Sequence, residues 1–401
     1  MGADAAIDLP AAAAAYASGT DGTVGIEEEF MLLDEGTLDL VPRFEELQAR
    51  TAKDPALAVA VAGELIRTEI EIRSGRGETL ADALDAQRDH RARLFGAARE
   101  LGISLGATGT HPWDDYRHQT FIDTEHYRRV VDGLRWVARR NATFSLHVHV
   151  GIRDVDRAIA VCDRLRPVLP QLLALSANSP FVDGLDTGLH SIRTQTFTKS
   201  FPRCGVPDHF GSWRAFARHI ELLQATNCVQ EYTQVWWSVR PHLSFGTVEI
   251  RICDAQSTAA ESEALTELIV ACALQAARDH DEGRPFEVQP GRLVEENMWR
   301  AIRDGRSGTL VDWDTAEQYP AAAALDRLLA WTAPVRAERG IDPVFPEQNG
   351  AERQRARVDQ GASPAEAFAA AVAETQATYP PDAADDAVQA SSVFDPQERH
   401  P

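Results

Sequence analysis

The sequence predicts an α+β fold whose sheet is largely antiparallel. Segments that alternate between apolar and polar residues, as strands do, follow one another closely, and helix-like segments occur in runs. The strand-like segments are residues 23–34, 65–74, 103–113, 144–152, 232–241 and 245–254. Of the 401 residues, 44% are hydrophobic, which is enough for a large core.

The remaining segments divide the chain into three parts. We expect residues 1–20 to be a flexible Ala-rich N-terminus, residues 21–378 to form a single domain, and residues 379–401 to be an acidic disordered tail. Within the domain, helices are predicted at about 78–101, 123–140, 156–177 (bent at Pro167 and Pro170) and over most of 257–373. A Gly-, Thr- and Pro-rich loop at about 180–210 has the length of an active-site lid.

The chain is strongly acidic. It has 61 Asp and Glu against 40 Lys and Arg, a net charge of −21, and its only lysines are Lys53 and Lys199. Because carboxylates keep a protein surface hydrated when salt screens their repulsion, this composition predicts a halophilic source, although a GC-rich genome would also favour Arg over Lys. Nucleic acid is excluded as a partner, since a phosphate backbone needs a basic face.

The cysteines and the N-terminal residues indicate a cytoplasmic protein. The five cysteines form no CxxC motif, which argues against a disulfide or zinc framework. The alanine run at residues 11–15 follows Asp4 and Asp8, and the first basic residue is Arg43, so we expect no signal peptide. The longest charge-free apolar stretch, residues 167–182, contains three prolines and is too short to cross a membrane. We therefore expect no membrane partner, and a homo-oligomer is compatible with the sequence.

Four strand-like segments carry charged residues on one side. Because side chains alternate along a strand, Glu27 and Glu29 of GIEEEF share a face and Glu28 takes the other. The same alternation groups Glu69, Glu71 and Arg73 in TEIEIR, His147 and His149 in SLHVHVG, and Glu249 and Arg251 in TVEIRIC. Any one of these segments could be an ordinary strand of a sheet with one solvent-exposed face. Together they predict a sheet face lined by carboxylates, imidazoles and guanidinium groups.

Neighbouring carboxylates on one sheet face repel each other unless a cation joins them. Mg²⁺ prefers oxygen ligands and usually keeps water and substrate phosphates as further ligands. We therefore interpret Glu27 and Glu29 as ligands of a divalent cation, and expect Glu28 to be paired with an arginine or exposed. Arg251, beside Glu249, is suited to neutralise a transferred phosphoryl group. No P-loop or GxGxxG motif occurs, so if the protein uses ATP, it binds ATP through metal and arginine.

Eight motifs occur in order between residues 25 and 301, namely GIEEEF, GELIRTEIEI, GATGTHPW, HVHVG, ALSANSPFVDGLDTG, WWSVRP, FGTVEIRICD and ENMWRA. Together they resemble the glutamate–cysteine ligase type 2 (carboxylate–amine ligase) family of the glutamine synthetase-like fold, over roughly residues 20–375. The resemblance implies a curved sheet that forms a half-barrel or funnel flanked by helices, with metals and ATP inside a single catalytic domain.

The resemblance also implies roles for individual residues. The expected ligands of Mg²⁺, with Mn²⁺ as an alternative, are Glu27, Glu29, Glu71, His147 and Glu249. The expected ATP-phosphate contacts are His149, Arg240 and Arg251, and the expected catalytic residues are Arg251, Glu71 and Arg240. Further candidates near the substrate are Glu64, Asn297 and Arg300, together with Arg193 from the long loop.

The predicted function is ATP-dependent ligation of L-glutamate to L-cysteine through a γ-glutamyl phosphate, which gives γ-glutamylcysteine, ADP and phosphate. Three alternatives remain open: a ligase of the same family with another amine acceptor, a metallohydrolase built on HVH and the glutamates, and a non-catalytic binding protein. Arg240 and Arg251 argue against the hydrolase, and the filled ligand positions argue against the binding protein.

Some conspicuous residues have structural interpretations. His111 is expected to hold its loop through a hydrogen bond. Cys253, predicted on the polar side of its strand, is expected to be a small buried residue rather than a nucleophile. Trp236 and Trp237 face opposite sides, so at least one belongs to the core.

Overall fold

The computed structural model of the protein describes residues 7–378, so the predicted tail at 379–401 lies outside the described residues. The strands are β1 (Val24–Asp34), β2 (Val61–Ala62), β3 (Glu69–Arg73), β4 (Ile103–Gly106), β5 (Ser145–Gly151), β6 (Phe181–Val182), β7 (Leu185–Asp186), β8 (Cys204–Gly205), β9 (Trp236–Trp237), β10 (Val239–His242), β11 (Thr247–Asp254), β12 (Thr309–Asp312) and β13 (Glu317–Pro320). The helices are α1 (Leu9–Ser18), α2 (Phe44–Thr51), α3 (Leu57–Ala60), α4 (Leu80–Glu100), α5 (Glu125–Leu134), α6 (Val155–Leu165), α7 (Leu169–Ser176), α8 (Ile192–Ser200), α9 (Trp213–Ala225), α10 (Ala259–Asp281), α11 (Gly291–Asp304), α12 (Ala324–Arg339), α13 (Gly350–Asp359) and α14 (Pro364–Ala377).

The central sheet confirms the predicted α+β class. Its strands run in the order β10-β11-β5-β1-β3-β2, and β4 pairs with the second half of β1. Every pairing in this sheet is antiparallel. Within residues 7–378 the end strands β10 and β2 are not bonded to each other, so the sheet stays open rather than closing into a barrel.

One face of the sheet is aliphatic and packs on helices. Ile26, Val148 and Ile250 are almost fully buried and belong to one cluster with residues of α6, α7 and α10. α10 is buried around most of its circumference, as expected for a helix that lies between a sheet and other helices. Its start is fixed by a capping box, in which the Thr258 hydroxyl and the Glu261 carboxylate satisfy each other's backbone amides. The opposite face of the sheet is left for polar side chains.

Residues 7–20 of the N-terminal segment, for which the sequence predicts a flexible stretch, contain a helix, and residues 1–6 of that stretch lie outside the described residues. Residues 9–18 form α1, which begins with an Asp8 cap that accepts a hydrogen bond from the Ala11 amide. Tyr16 is fully buried, and its hydroxyl donates to the Thr247 carbonyl oxygen at 2.6 Å. The segment is rich in alanine, which has the highest helix propensity, and Tyr16 fixes the helix to the core.

The predicted lid loop and its surroundings contain more regular structure than the sequence suggested. Residues 180–210 include a short β6–β7 hairpin and α8, and α9 follows directly. The strand predicted at 232–241 is divided, because β9 pairs in parallel with β8 whereas β10 pairs with β11. A β12–β13 hairpin also interrupts the helical C-terminal region. The helix predicted at 156–177 is interrupted at Pro167, where a 3₁₀ turn separates α6 from α7, whereas Pro170 lies within the first turn of α7.

Candidate active site

The polar face of the sheet is built by the register of β1 with its two neighbours. Glu27 lies opposite His147 of β5 on one side and Arg73 of β3 on the other. Glu29 lies opposite Glu71 of β3. The same face continues into β11, where Glu249 pairs with His149. The face assignments predicted from period-two alternation therefore bring these side chains together.

These side chains line a cavity of about 850 Å³. The predicted site residues that line it are Glu27, Glu29, Glu64, Glu71, His147, His149, Arg193, Arg240, Glu249 and Arg251. Other walls come from α5, α8 and the β10–β11 hairpin. The cavity is large enough for a nucleotide and a second small molecule.

Glu27, His147 and Glu249 form the first group that could hold a metal ion. They offer one ligand atom each, and these atoms lie within 4.8 Å of one another. The His147 Nδ1 atom is 3.3 Å from Glu27 Oε2. Burial and the charge of Arg251 lower the pKa of His147 to about 3, so its imidazole is neutral, which is the form that binds a metal.

Glu29, Glu71 and His147 form a second such group, with ligand atoms that again lie within 4.8 Å of one another. Glu29 Oε2 accepts hydrogen bonds from the Ser145 amide at 2.5 Å and from the Ser145 hydroxyl at 2.6 Å. Despite these bonds, burial and repulsion from Glu71 raise the pKa of Glu29 to about 7. Burial and the charge of Glu27 raise the pKa of Glu71 well above its usual value. This end of the cavity has an excess of carboxylates over basic side chains.

Two residues that the sequence placed on this face without assigning a role extend the carboxylate-rich end. Glu69 is 1% exposed, and its Oε2 atom has no hydrogen-bond partner among the described residues. Burial and the charge of Glu29 raise the pKa of Glu69 well above its usual value. Arg73 forms an ion pair with Glu71 and lies 3.6 Å from Glu27 Oε1. The alternation in TEIEIR was the signal that could have identified both.

The other end of the cavity carries arginines. Arg240 donates from Nε to Glu249 Oε2 at 2.6 Å, and Arg251 forms an ion pair with Glu249 Oε1. Burial opposes ionisation of Glu249, but these two guanidinium groups outweigh it and hold its pKa well below the usual value. His149 lies beside them, and its buried Nε2 atom has no hydrogen-bond partner within residues 7–378. This arrangement fixes two guanidinium groups and one imidazole at the cavity wall.

Arg193, a substrate candidate from the long loop, is held at the cavity by a buried network. Its guanidinium donates to the backbone carbonyls of Ile252 at 3.0 Å and Arg251 at 3.2 Å. It also lies 3.5 Å from the carboxylate of Asp254, which is fully buried and accepts from the Ser191 hydroxyl at 2.9 Å. Ser191 is also the N-cap of α8, so the network fixes the helix and the arginine together.

Asn297 and Arg300 were expected near the substrate, and the structure places them elsewhere. Neither lines the cavity. The Asn297 side chain bonds the backbone of Val311 in both directions at 2.8 Å, and Arg300 donates to the Thr309 hydroxyl at 3.1 Å. These two side chains hold α11 against β12, so their motif has a structural role.

Cys253 does not face the polar side as predicted. The β5–β11 register shifts between Ile250 and Cys253, so Cys253 lies opposite Leu146 and is fully buried in the core. An irregularity of this kind adds a residue to one strand and reverses the side-chain alternation beyond it. As a result, Ile252 lines the cavity instead.

The remaining structural interpretations agree with the structure. His111 Nε2 is 2.8 Å from the Leu38 carbonyl oxygen and holds its loop. Trp237 belongs to a core cluster, whereas Trp236 lines the cavity. Glu28, on the aliphatic side, pairs with Arg91 at 2.7 Å.

A family model and the related proteins of known sequence all place this chain in the same family. The model of glutamate–cysteine ligase family 2 matches residues 23–390. The chain is 36% identical over 358 residues to a candidate glutamate–cysteine ligase 2 of Gloeobacter violaceus, which covers 87% of this chain and 95% of that protein. It is 33% identical over 341 residues to the glutamate–cysteine ligase of Halobacterium salinarum, covering 84% of this chain and 93% of that protein.

A solved structure supports the same fold. The glutamate–cysteine ligase of Francisella tularensis, determined in complex with AMP, superposes with a TM-score of 0.65 and covers 95% of this chain and 96% of its own. The sequences are only 10% identical, so this likeness concerns the fold alone.

Within the described residues, no helix has the length and apolar character that crossing a bilayer requires.

Proposed function

Because the chain belongs to the glutamate–cysteine ligase family 2 and is therefore an ATP-dependent carboxylate–amine ligase, we propose that it joins the γ-carboxylate of L-glutamate to the amine of L-cysteine. The observation that carries the proposal is the division of one cavity into two ends. One end has carboxylates in excess, at Glu29, Glu69 and Glu71, and the other has Arg240 and Arg251. Carboxylates suit a divalent cation and arginines suit phosphate, and a ligase that uses ATP needs both.

The carboxylate-rich end fits a hard divalent cation. The raised pKa values of Glu29 and Glu71 show that the chain itself does not fully compensate these carboxylates when they are ionised, and the buried Glu69 oxygen has no hydrogen-bond partner among the described residues. We propose that Mg²⁺, or Mn²⁺ in its place, is held by Glu27, Glu29, Glu71, His147 and Glu249. A bound cation would neutralise phosphate charge and favour phosphoryl transfer.

The arginine end is suited to ATP phosphates. Arg240 and Arg251 share Glu249 as a partner, so both guanidinium groups are fixed before any ligand binds. The Nε2 atom of His149 is in ion-pair range of two carboxylates, 3.5 Å from Glu27 Oε1 and 4.0 Å from Glu249 Oε1. We propose that these three side chains bind the phosphates and that Arg251 offsets the charge that develops on the transferred group.

The proposed reaction has two steps. In the first, a γ-carboxylate oxygen of glutamate attacks the γ-phosphorus of ATP, the bond to the ADP oxygen breaks, and γ-glutamyl phosphate and ADP result. In the second, the amine nitrogen of cysteine attacks the acyl carbon, the carbon–oxygen bond to phosphate breaks, and the amine loses one proton. Glu64 and Arg193, which line the cavity, are proposed substrate contacts. The roles of the individual residues rest on geometry and on the family resemblance.

The proposal is tested by phosphate release from MgATP with glutamate and cysteine at high KCl. We expect release that requires both amino acids and a product with the mass of γ-glutamylcysteine. Release that another amine supports better would keep the ligase mechanism and change the acceptor. ATP that stays intact under every pairing would overturn the proposed function.

A further inference from the structure

His147 belongs to both of the groups that could hold a metal ion. Its Nδ1 atom faces the first group, at 3.3 Å from Glu27 Oε2, and its Nε2 atom faces the second group, at 3.9 Å from Glu29 Oε1. A neutral imidazole carries its proton on one nitrogen and offers a lone pair on the other. The ring can therefore ligate a cation in only one of the two groups, and the tautomer decides which one.

Ser145 contacts both groups through one hydroxyl. Its Oγ atom is 2.6 Å from Glu29 Oε2 and 2.8 Å from His147 Nε2, and both contacts are buried. The same Glu29 oxygen accepts a hydrogen bond from the Ser145 amide at 2.5 Å. Because an oxygen that receives the amide proton is acting as an acceptor, the single hydroxyl proton also goes to Glu29. Towards His147 the hydroxyl then has only lone pairs, so the proton between them belongs to Nε2.

The contacts of the other ring nitrogen lead to the same tautomer. Arg251 Nη1 lies 3.4 Å from His147 Nδ1. A guanidinium group has donors and no acceptor, so this contact is favourable only when Nδ1 offers a lone pair. Glu27 Oε2, at 3.3 Å from Nδ1, would attract a proton there, but the contact of Nε2 with Ser145 is shorter at 2.8 Å. Two independent neighbours thus favour the imidazole proton on Nε2.

We propose that Ser145 is a positioning residue that holds His147 as the Nε2–H tautomer. The Nδ1 lone pair of this ring then belongs to the first group, beside Glu27 and Glu249, and the second group keeps carboxylates alone. This inference rests on the proposed function and makes its cation binding more specific, because the two groups differ in their ligand chemistry. Imidazole suits transition metals better than Mg²⁺, whereas carboxylates suit Mg²⁺ well. We therefore expect the first group to favour Co²⁺ over Mg²⁺ more strongly than the second group does.

The first experiment determines the tautomer by NMR on the full chain without divalent cations. Long-range proton–nitrogen correlations of isotope-labelled histidine distinguish a protonated ring nitrogen from an unprotonated one, and His147→Gln identifies the signals of this ring. We expect a protonated Nε2 and an unprotonated Nδ1 in the wild type. In Ser145→Ala a form protonated at Nδ1 should appear, because Glu27 then has no competitor for the proton. A wild-type ring protonated at Nδ1, or an unchanged spectrum in Ser145→Ala, would overturn the inference.

A matched control comes from the opposite face of β1. Ser262 is also buried, and its hydroxyl donates to Glu28 Oε1 at 2.5 Å, as that of Ser145 does to Glu29. Ser262→Ala removes the same kind of hydrogen bond on the aliphatic side and should leave the His147 signals unchanged. Ser145→Thr keeps the hydroxyl and should retain the wild-type tautomer. Equal changes in Ser145→Ala and Ser262→Ala would show a general disturbance of β1 and overturn the positioning role.

The second experiment measures cation binding by calorimetric titration with Co²⁺ and with Mg²⁺, without nucleotide. Ser145→Ala should raise the Kd for Co²⁺ about 10- to 100-fold, which is the usual effect of losing a group that orients a ligating histidine. Ser262→Ala should stay within about twofold of the wild type. Equal Kd values for Co²⁺ in the wild type and Ser145→Ala, or a wild type that binds neither cation, would overturn the inference.

These readouts separate failure of this inference from failure of the proposed function. If no amine supports phosphate release, the ligase proposal fails, while the tautomer and the Kd for Co²⁺ still decide the role of Ser145. If phosphate release is normal but the wild-type ring is protonated at Nδ1, only the positioning role fails. If Ser145→Ala does not fold, the wild-type spectrum decides in the same way.

Discussion

The two faces of β1 use the same residue type for different purposes. On the aliphatic side, Glu28 is satisfied entirely by the protein, through Arg91 at 2.7 Å, Gln87 at 2.7 Å and Ser262 at 2.5 Å. On the cavity side, Glu29 receives hydrogen bonds from Ser145 but faces another carboxylate across the strand pair. The difference teaches that a buried glutamate serves the fold when its partners belong to the chain, and is available to a ligand when they do not.

The largest effect is expected on the cavity side. Glu29→Gln should lower glutamate- and cysteine-dependent phosphate release by at least about 100-fold, because the change removes a charge from the proposed cation site. Its thermal midpoint without divalent cations should equal or exceed that of the wild type, since repulsion from Glu71 is relieved. Exposed Glu78→Gln serves as the control. A Glu29→Gln protein with full activity would contradict the proposed role of the cavity face of β1 in catalysis.

The reverse pattern is expected for Glu28→Gln. Weakening the ion pair of Arg91, which is 1% exposed, should lower the free energy of unfolding by about 3 kcal/mol. The folded fraction should keep kcat within a few-fold of the wild type. Urea unfolding and phosphate release measured on the same samples test both halves of this expectation. A stable Glu28→Gln protein without activity would show that the two faces are not separate.

Divalent cations should sharpen the comparison. We expect Mg²⁺ or Mn²⁺ to raise the thermal midpoint of the wild type. At a cation concentration one hundred times the dissociation constant, the free energy of unfolding should rise by about 2 to 3 kcal/mol. Glu28→Gln should retain this increment and Glu29→Gln should lose most of it. Calorimetric scans with and without the cation provide the measurement, and an equal increment in both variants would contradict the proposed ligand set.

A histidine outside both faces gives a baseline for acid sensitivity. Burial lowers the pKa of His111 from 6.5 to about 4, so the folded state disfavours the proton that the unfolded chain binds. Its contribution to stability is complete above pH 6.5 and is lost as the pH falls towards 4, by about 2 kcal/mol at pH 5. His111→Gln should flatten the stability profile over this window. A profile that does not change would assign the acid sensitivity to other groups.

Alternation along the strands predicted most of the site. It placed Glu27, Glu29, His147 and Glu249 on one face, because period two is a rigid property of a strand. It failed at Cys253, where a register shift reversed the alternation. Such a shift depends on tertiary packing, which a single sequence does not display.

Motif resemblance was less reliable for helices than for strands. Asn297 lies in a matching motif, yet its side chain bonds the Val311 backbone and does not line the cavity. α8, which supplies Arg193 and part of the cavity wall, lies where the sequence predicts a loop, because the segment lacks a strong helical period. The lid role of residues 180–210, the halophilic source and the cytoplasmic location stay predictions.

The hydrogen bond from Tyr16 to the Thr247 carbonyl has a practical consequence. Thr247 begins the strand that carries Glu249 and Arg251, so α1 is hydrogen-bonded to the strand that forms the arginine end of the cavity. Trimming the chain before residue 20, a common step when a low-complexity start is taken for dispensable, would cut this tether. Purification handles are better placed at the C-terminus, and a weakly active truncated preparation would say little about the enzyme itself.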